Sequence, residues 1–126
     1  MKKKTYTAKQ KKQILGCLSA ALDKKAEDVL VLDLRGVSCE ADFFVICHGE
    51  SRRQVQAISH NVESALREQG IKRYNVEGRE AGTWILMDFH NIVVHVFHQT
   101  ARSFYALEKL WADARSLDES EILAWG

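Results

Sequence analysis

Residues 33–54 read Asp33-Leu-Arg-Gly-Val-Ser-Cys-Glu-Ala-Asp-Phe-Phe-Val-Ile-Cys-His-Gly-Glu-Ser-Arg-Arg-Gln54, and they contain a strand followed by the start of a helix. The apolar run from Asp42 to Cys47 is typical of a buried strand, because aromatic and β-branched residues fit a pleated surface. Ser51 and Gln54 have the spacing of a capping box. In that motif the Ser hydroxyl accepts from the Gln54 backbone N–H, and the Gln side chain accepts from the Ser51 N–H. A helix is therefore predicted to begin at Ser51.

Further elements can be read outward from this segment in both directions. The run Val29-Leu-Val-Leu-Asp-Leu34 is expected to pair antiparallel with the strand at 42–47, through a turn at 35–39. Upstream, residues 7–25 carry an apolar stripe of helical spacing, with Thr7 and Gln10 as a second capping box. Downstream, the predicted elements are a helix at 51–69 capped by Gly70, a short segment at 74–78, strands at 84–88 and 92–98, and a helix at 100–114.

The order of these elements is αββαβββα, and it predicts a mixed sheet. A helix between two strands usually makes a crossover to a parallel neighbour. The strands at 84–88 and 92–98, in contrast, are joined by so short a turn that they can only form an antiparallel hairpin. The expected fold class is α/β (α+β), with a mixed β-sheet of about five strands and flanking helices. One domain is expected over residues 1–126, with a basic lead at 1–6 and an unassigned tail at 117–126.

The composition is that of an ordinary globular chain. Hydrophobic residues make up 46% and charged residues 28% of the 126 positions. No apolar run approaches the roughly 20 residues of a membrane helix, and no signal-peptide apolar region follows the Lys-rich start. The three cysteines are odd in number and form no Cys-x-x-Cys pair, which disfavours a disulfide framework. A cytoplasmic protein without a membrane partner is expected.

Charge is distributed unevenly along the chain. Six of the 18 basic residues lie in the first twelve positions, which leaves 12 basic against 17 acidic residues in the rest, a net charge of −5 (12 − 17). Nucleic-acid affinity comes largely from Lys and Arg that neutralise phosphates. The acidic remainder therefore favours a basic protein partner over a dominant nucleic-acid contact, and the Lys-rich start leaves an RNA-binding module as a lesser alternative.

Metal binding and catalysis are both disfavoured by residue spacing. His95 and His98 are three positions apart on one predicted strand, so they point to opposite faces and cannot share an ion. Residues 49–51, Gly-Glu-Ser, follow a strand and open a helix, as phosphate-binding loops do. A nucleotidyltransferase also needs two or three carboxylates that converge on Mg²⁺, and the predicted strands carry only single acids. We expect no metal, no cofactor and no enzymatic activity, with a metal-dependent nucleotidyltransferase as the alternative.

The strand at 84–88 carries apolar residues on both of its faces. Trp84, Leu86 and Asp88 share one face, and Ile85 and Met87 share the other. If helices cover only one face of the sheet, the other exposes a Trp and a Leu beside an acid, which is typical of a protein-binding patch. From the residues alone, core and interface are equally good interpretations of Trp84.

Seven short motifs occur in a fixed order within residues 8–115. They are Asp33-Leu-Arg-Gly36, Asp42-Phe-Phe-Val45, Arg53-Gln54, Val76-Glu-Gly78, Trp84-Ile-Leu-Met-Asp88, Val94-His-Val-Phe-His98 and Phe104-Tyr-Ala-Leu-Glu-Lys-Leu-Trp111. Their joint order resembles the bacterial ribosomal silencing factor (RsfS, or Iojap) family. The resemblance implies a nucleotidyltransferase-like fold without the catalytic carboxylates. It also implies a non-enzymatic repressor of translation that binds ribosomal large-subunit protein fourteen and blocks association of the large and small subunits.

The resemblance further implies a partner-binding surface and a homodimer. Carried over by position, the surface would comprise Trp84, Leu86, Asp88, His98, Tyr105, Glu108 and Trp111. Members of the family commonly form homodimers, and an exposed apolar face could serve either self-association or ribosome binding. Which patch serves which purpose stays open at this point.

Overall fold

A six-stranded mixed sheet forms the centre of the computed structural model, which describes residues 5–37, 41–73, 75–101 and 114–126. The mixed α/β class expected from the sequence is confirmed, with one strand more than expected. The helices are α1 (Ala8–Asp23), α2 (Arg52–Glu68) and α3 (Glu119–Leu123), and the strands are β1 (Glu27–Asp33), β2 (Phe43–Gly49), β3 (Asn75–Glu77), β4 (Trp84–Asp88), β5 (Ile92–His98) and β6 (Arg115–Leu117).

The strands lie side by side in the order β3-β4-β5-β2-β1-β6. β2 and β5 are parallel, and every other neighbouring pair is antiparallel. Both predicted hairpins, β1 with β2 and β4 with β5, are therefore confirmed. The parallel partner of β2 is β5 and not the next strand of the chain, because the chain enters the sheet at the β3 edge after α2 and returns inward through β4.

One row of apolar side chains crosses the whole sheet beneath the helices. Its members, paired in register, are Val76, Met87, Val94, Val45, Val31 and Leu117. The helices cover this row with fully buried side chains such as Ile14 and Leu18 of α1 and Ile58 of α2. Burial of apolar surface contributes about 25 cal/mol per Å². This layer between the two long helices and the sheet is the main core of the protein.

The limits of α1 follow its capping residues. Thr7 and Gln10 form both bonds of the predicted capping box. The helix ends at Asp23, and Lys25 adopts a left-handed conformation with a φ of 63°. The Lys25 N–H donates to the carbonyl oxygen of Leu22 at 2.9 Å. Glycine is the residue that usually occupies this position after a helix, so the turn is made here by a less suitable residue.

At the start of α2 the prediction is wrong in one bond. The Ser51 hydroxyl accepts from the Gln54 N–H at 3.1 Å, as expected. The Gln54 side chain, however, accepts from the Glu50 N–H at 2.7 Å and not from the Ser51 N–H. The reason is that the Gln54 amide nitrogen also donates to the carbonyl oxygens of Lys24 and Lys25, which fixes the side chain against the end of α1.

The C-terminal residues, which the sequence left unassigned, belong to the fold. β6 pairs with β1, with Leu117 opposite Val31. Leu117 and Ile122 of α3 are both buried, and α3 packs on α1. The ring centroids of Trp125 and Tyr6 lie 5.4 Å apart. Contacts between the two ends of the chain therefore help to hold the C-terminal segment in place.

The predicted helix at 100–114 falls mostly outside the described residues. Residues 99–101 are helical, and 102–113 are not described. That helix stays a prediction beyond its first residues. In the described ranges, none of the helices combines the length and the apolar character that a membrane span requires.

Candidate partner-binding surface

β4 presents Trp84, Leu86 and Asp88 on one face of the sheet, as predicted. All three are partly exposed, whereas Ile85 and Met87 point the other way and are fully buried under the helices. β4 is the neighbour of the edge strand β3, so this face lies near the border of the sheet. We call Trp84, Leu86 and Asp88 the β4 surface.

Two of the described side chains, His95 and Phe97, contact the indole of Trp84 on this face. Its Nε1 donates to Nδ1 of His95 at 3.1 Å. Its ring stacks on Phe97, with 5.1 Å between ring centroids and an interplanar angle of 26°. Phe97 is the residue directly opposite Trp84 in the strand pairing, and His95 is opposite Leu86. The N–H edge of the Trp84 indole therefore points into the protein, while part of its ring stays exposed to solvent.

His95 is buried in an apolar layer behind the β4 surface. It is 4% exposed, and its ring centroid lies 4.6 Å from that of Phe44. Burial lowers the pKa of His95 to about 4, so the ring is neutral at neutral pH. Because Nδ1 accepts the Trp84 indole N–H, the ring proton lies on Nε2. Among the described residues this buried Nε2 has no hydrogen-bond partner.

Asp88 and His98, two further residues of the expected surface, both make local hydrogen bonds. Asp88 Oδ1 accepts from the His90 N–H at 2.8 Å and so holds the turn between β4 and β5, where His90 has a φ of 80°. His98 ends β5, and its Nδ1 lies 2.9 Å from Thr100 Oγ1 in the helical residues 99–101. Side chains alternate along a strand, so His98 belongs to the face opposite Trp84. The structure brings Asp88 to the β4 surface and separates His98 from it.

Tyr105, Glu108 and Trp111 lie outside the described residues, and their part in the surface stays a prediction. Ala101 and Ala114 stand on either side of this undescribed stretch. Both pack on the apolar layer that also contains Trp84 and Leu86. The chain therefore leaves and rejoins the described structure on the same face as the β4 surface.

Two acidic residues on β1 are engaged in pairs with other side chains. Glu27 Oε2 lies 3.0 Å from Nε2 of His48. Asp33 is fully buried and accepts from Arg35 and from the Tyr6 hydroxyl. Burial alone would raise the pKa of Asp33, but the bonds from Arg35 and Tyr6 hold it below its usual value. Within the described ranges, no group of three or more His, Cys, Asp or Glu residues is placed to hold a metal ion.

A second buried carboxylate fixes the loop that leads into β4. Glu63 of α2 is 6% exposed and accepts from Arg79 at 2.7 Å, with Arg67 at 3.1 Å and Arg73 at 3.4 Å. Burial would raise the pKa of Glu63, but these arginines, Arg79 foremost, hold it below its usual value. Gln56 adds a bond from its amide nitrogen to the Arg79 carbonyl oxygen at 3.0 Å. The loop that precedes Trp84 is thereby anchored on α2.

The sequence interpretation did not identify the contact between His95 and Trp84. It disfavoured His95 as a metal ligand and took it for an ordinary hydrogen-bonded or interface histidine. A usable signal was present, because a histidine stands in the middle of the apolar run of β5, on the strand predicted to form a hairpin with the strand of Trp84. Knowing which residues face each other across the hairpin would have placed the two side chains together.

Comparison with known proteins assigns the chain to a family. The family model described as ribosomal silencing factor during starvation matches residues 7–124. The ribosomal silencing factor RsfS of Bacillus subtilis is 49% identical over 108 residues, which cover 85% of this chain and 92% of that protein.

Two further matches extend the comparison to structure and to a more distant relative. A crystal structure of a protein from Bacillus halodurans has a TM-score of 0.74 at 45% identity and covers 83% of this chain and 95% of that chain. A Mus musculus protein named mitochondrial assembly of ribosomal large subunit protein 1 is 30% identical over 105 residues, 81% of this chain and 46% of its own length. With a family model that spans nearly its whole length and a relative of nearly 50% identity, this chain belongs to the ribosomal silencing factor family.

Proposed function

We propose that this protein binds the large ribosomal subunit and, by occupying the subunit-joining face, prevents association with the small subunit. The contact on the ribosome is ribosomal large-subunit protein fourteen, and the result is repression of translation. Membership of the silencing-factor family supports a ribosomal role. The name of the Mus musculus relative, which refers to assembly of the large subunit, supports the choice of subunit.

The observation that carries the proposal is the partly exposed indole of Trp84 on the β4 surface. Interface centres are enriched in aromatic residues and depleted in charge, and they are surrounded by a polar rim. Trp84 with Leu86 beside it has the composition of such a centre, and Asp88 provides an acidic rim. The β4 surface therefore fits a protein partner that offers an apolar pocket and a basic group.

The charge distribution supports the same kind of partner. After the first twelve residues the chain has a net charge of −5, from 12 basic and 17 acidic residues. Complementary charges steer association and exclude partners of like charge. This acidic part of the chain associates more readily with a basic ribosomal protein than with the RNA phosphates around it.

We infer that the protein acts by occupancy and not by catalysis. In the nucleotidyltransferase alternative, a triphosphate would bind at residues 49–51, after β2. Asp33 and Asp88 lie at the other end of the sheet, because Asp33 pairs with Phe43 at the start of β2 and Asp88 pairs with Val93 near the start of β5. A strand as long as β2 spans roughly 20 Å. That separation argues against these carboxylates sharing a metal ion with a phosphate at residues 49–51.

Co-sedimentation tests the proposal directly. The purified protein is expected to migrate with free large subunits, and not with small subunits or intact ribosomes. Trp84→Ala should weaken binding by roughly thirtyfold, because a buried aromatic anchor typically contributes about 2 kcal/mol. Leu123→Ala is the matched control, since Leu123 is a 49% exposed leucine on α3, outside the β4 surface. An equal distribution over all fractions, or full binding by a folded Trp84→Ala variant, would contradict the proposal.

Two further measurements address the remaining parts of the proposal. Incubation with labelled triphosphates and Mg²⁺ should give no transfer above the blank, and saturable turnover would overturn the occupancy mechanism. Analytical ultracentrifugation of the isolated protein should give the mass of two chains, as the family resemblance implies. A single-chain mass at all concentrations would remove the homodimer from the proposal.

A further inference from the structure

The hydrogen bond between Trp84 and His95 holds the indole in one orientation. It joins Trp84 Nε1 to His95 Nδ1 at 3.1 Å, across β4 and β5 and on a single face of the sheet. Phe97 stacks on the indole from the position directly opposite. The polar edge and one face of the ring are therefore both occupied within the protein.

An apolar residue would suit the position of His95 better if packing were its only role. His95 stands in a register row with Leu86, Ile46 and Leu30. Its Nε2 is buried and, in the part of the chain that the structure describes, has no acceptor. A buried donor without a partner destabilises the folded state. What a histidine provides here, and a leucine does not, is an acceptor at Nδ1 for the indole N–H.

We propose that His95 is a positioning residue for partner binding, which accepts the Trp84 indole N–H and so presents the exposed part of the ring in a fixed orientation to the protein partner on the large subunit. This inference rests on the proposed function, because it concerns the same surface. A side chain that is already ordered loses less conformational freedom on association. Because the indole N–H is satisfied internally, the partner needs an apolar pocket for Trp84 and no acceptor of its own.

The test is a double-mutant cycle on binding to purified large subunits. His95→Phe keeps a planar ring and removes the acceptor, and it should weaken binding by about three- to tenfold, as expected when one more side chain must be ordered on association. His95→Asn, which places an amide oxygen near the position of Nδ1, should restore most of the affinity. In a Trp84→Ala background, His95→Phe should have no further effect, since its role is exercised through the indole.

The outcomes of the cycle separate this inference from the proposed function. If Trp84→Ala loses binding while folded His95→Phe binds as the wild type does, the β4 surface stands and the positioning role is overturned. If Trp84→Ala itself binds as the wild type does, the proposed surface is wrong, and the positioning role is overturned with it. If His95→Phe weakens binding equally with and without Trp84, the residue acts on the fold and not on the indole, which also overturns the role.

A measurement on the wild-type protein keeps the inference testable if a variant does not fold. In nitrogen-15 labelled protein, the Trp84 indole N–H should exchange slowly with solvent and show a coupling across the hydrogen bond to His95 Nδ1. The resonance can be assigned by its loss in Trp84→Phe. Exchange as fast as that of a solvent-exposed indole would overturn the inference.

Discussion

The side-chain amide of Gln54 in α2 donates a hydrogen bond to the carbonyl oxygen of Lys24 at the end of α1, over 3.1 Å. The same nitrogen lies 3.0 Å from the Lys25 carbonyl oxygen, and the amide oxygen accepts from the Glu50 N–H. Gly49 leaves room for this arrangement, since a Cβ there would lie 3.1 Å from the Gln54 side chain. One glutamine thus satisfies backbone groups at the end of one helix and at the start of the next.

Replacing Gln54 by alanine should lower the free energy of unfolding by about 1 to 2 kcal/mol. The change removes partners from three backbone groups, which water can replace only in part. Chemical denaturation measures the effect. The matched control is Gln99→Ala at an exposed glutamine, which should stay within about 0.5 kcal/mol of the wild type. Equal effects of the two substitutions would contradict the capping role.

Replacing Lys25 by glycine should raise the free energy of unfolding by about 0.5 to 1 kcal/mol. Lys25 has a φ of 63°, a left-handed conformation that glycine adopts without steric cost. Lys24→Gly is the control, because Lys24 has an ordinary φ of −103° and gains nothing from glycine. Thermal unfolding of both variants checks the prediction, and stabilisation by Lys24→Gly but not by Lys25→Gly would refute it.

Replacing Glu63 by glutamine should destabilise the protein by about 2 kcal/mol. The buried carboxylate forms ion pairs with Arg79, Arg67 and Arg73, and its loss leaves these guanidinium groups repelling one another without compensation. The partial exposure of the arginines keeps the effect below that of a fully buried pair. Glu68→Gln, at an exposed acid of the same helix, should have little effect. Comparable urea midpoints for the two variants would show that the cluster does not stabilise the fold.

Acidification should destabilise the protein through His95. Its pKa falls from the ordinary 6.5 to about 4 in the folded state, so below pH 6.5 the unfolded chain binds the proton first. The stability that depends on neutral His95 is therefore present above pH 6.5 and is lost progressively as the pH falls to about 4. The loss between pH 6.5 and roughly pH 5 should be about 1.5 kcal/mol.

The measurement for this prediction is the unfolding free energy as a function of pH, in the wild type and in His95→Phe. The variant should lack this part of the pH dependence. Asp33 and Glu63 have lowered pKa values and act in the same direction, but only at more acidic pH, near the usual values of carboxylates. If the unfolding free energies of the two proteins change in parallel between pH 6.5 and roughly pH 5, His95 is not the cause.

Elements whose signals are local could be predicted from the sequence. Thr7 and Gln10 lie within one helical turn of each other, and both of their bonds are present. Gly70, predicted as the residue after α2, has a φ of 83°. β6 could not be predicted, because its three residues form a strand only where the edge of β1 is available to pair with Leu117.

The surface residues of the candidate site on β4 could be predicted, but the buried residue that Trp84 contacts could not. Alternation along β4 was enough to group Trp84 with Leu86 and Asp88. The partner of the indole depends on the register between β4 and β5, which is set by a turn in which His90 takes a φ of 80°. Histidine carries no turn signal of the kind that glycine would give at such a position. The histidine within the apolar run of β5 was a signal in the sequence, but without this register its bond to Trp84 could not be derived.

The limited pairing of β6 with β1 raises the question of how readily another strand could add to this edge of the sheet. In the described structure β6 pairs with β1 over 31–33 and does not extend along the first part of β1. An open, regular edge is a template on which a strand of another molecule can add. Here the pairing register shifts between Glu27 and Leu30, and Asp28 takes a φ of 48°. This bulge interrupts the regular ladder that an incoming strand would need, so the first part of β1 is a poor template for strand addition.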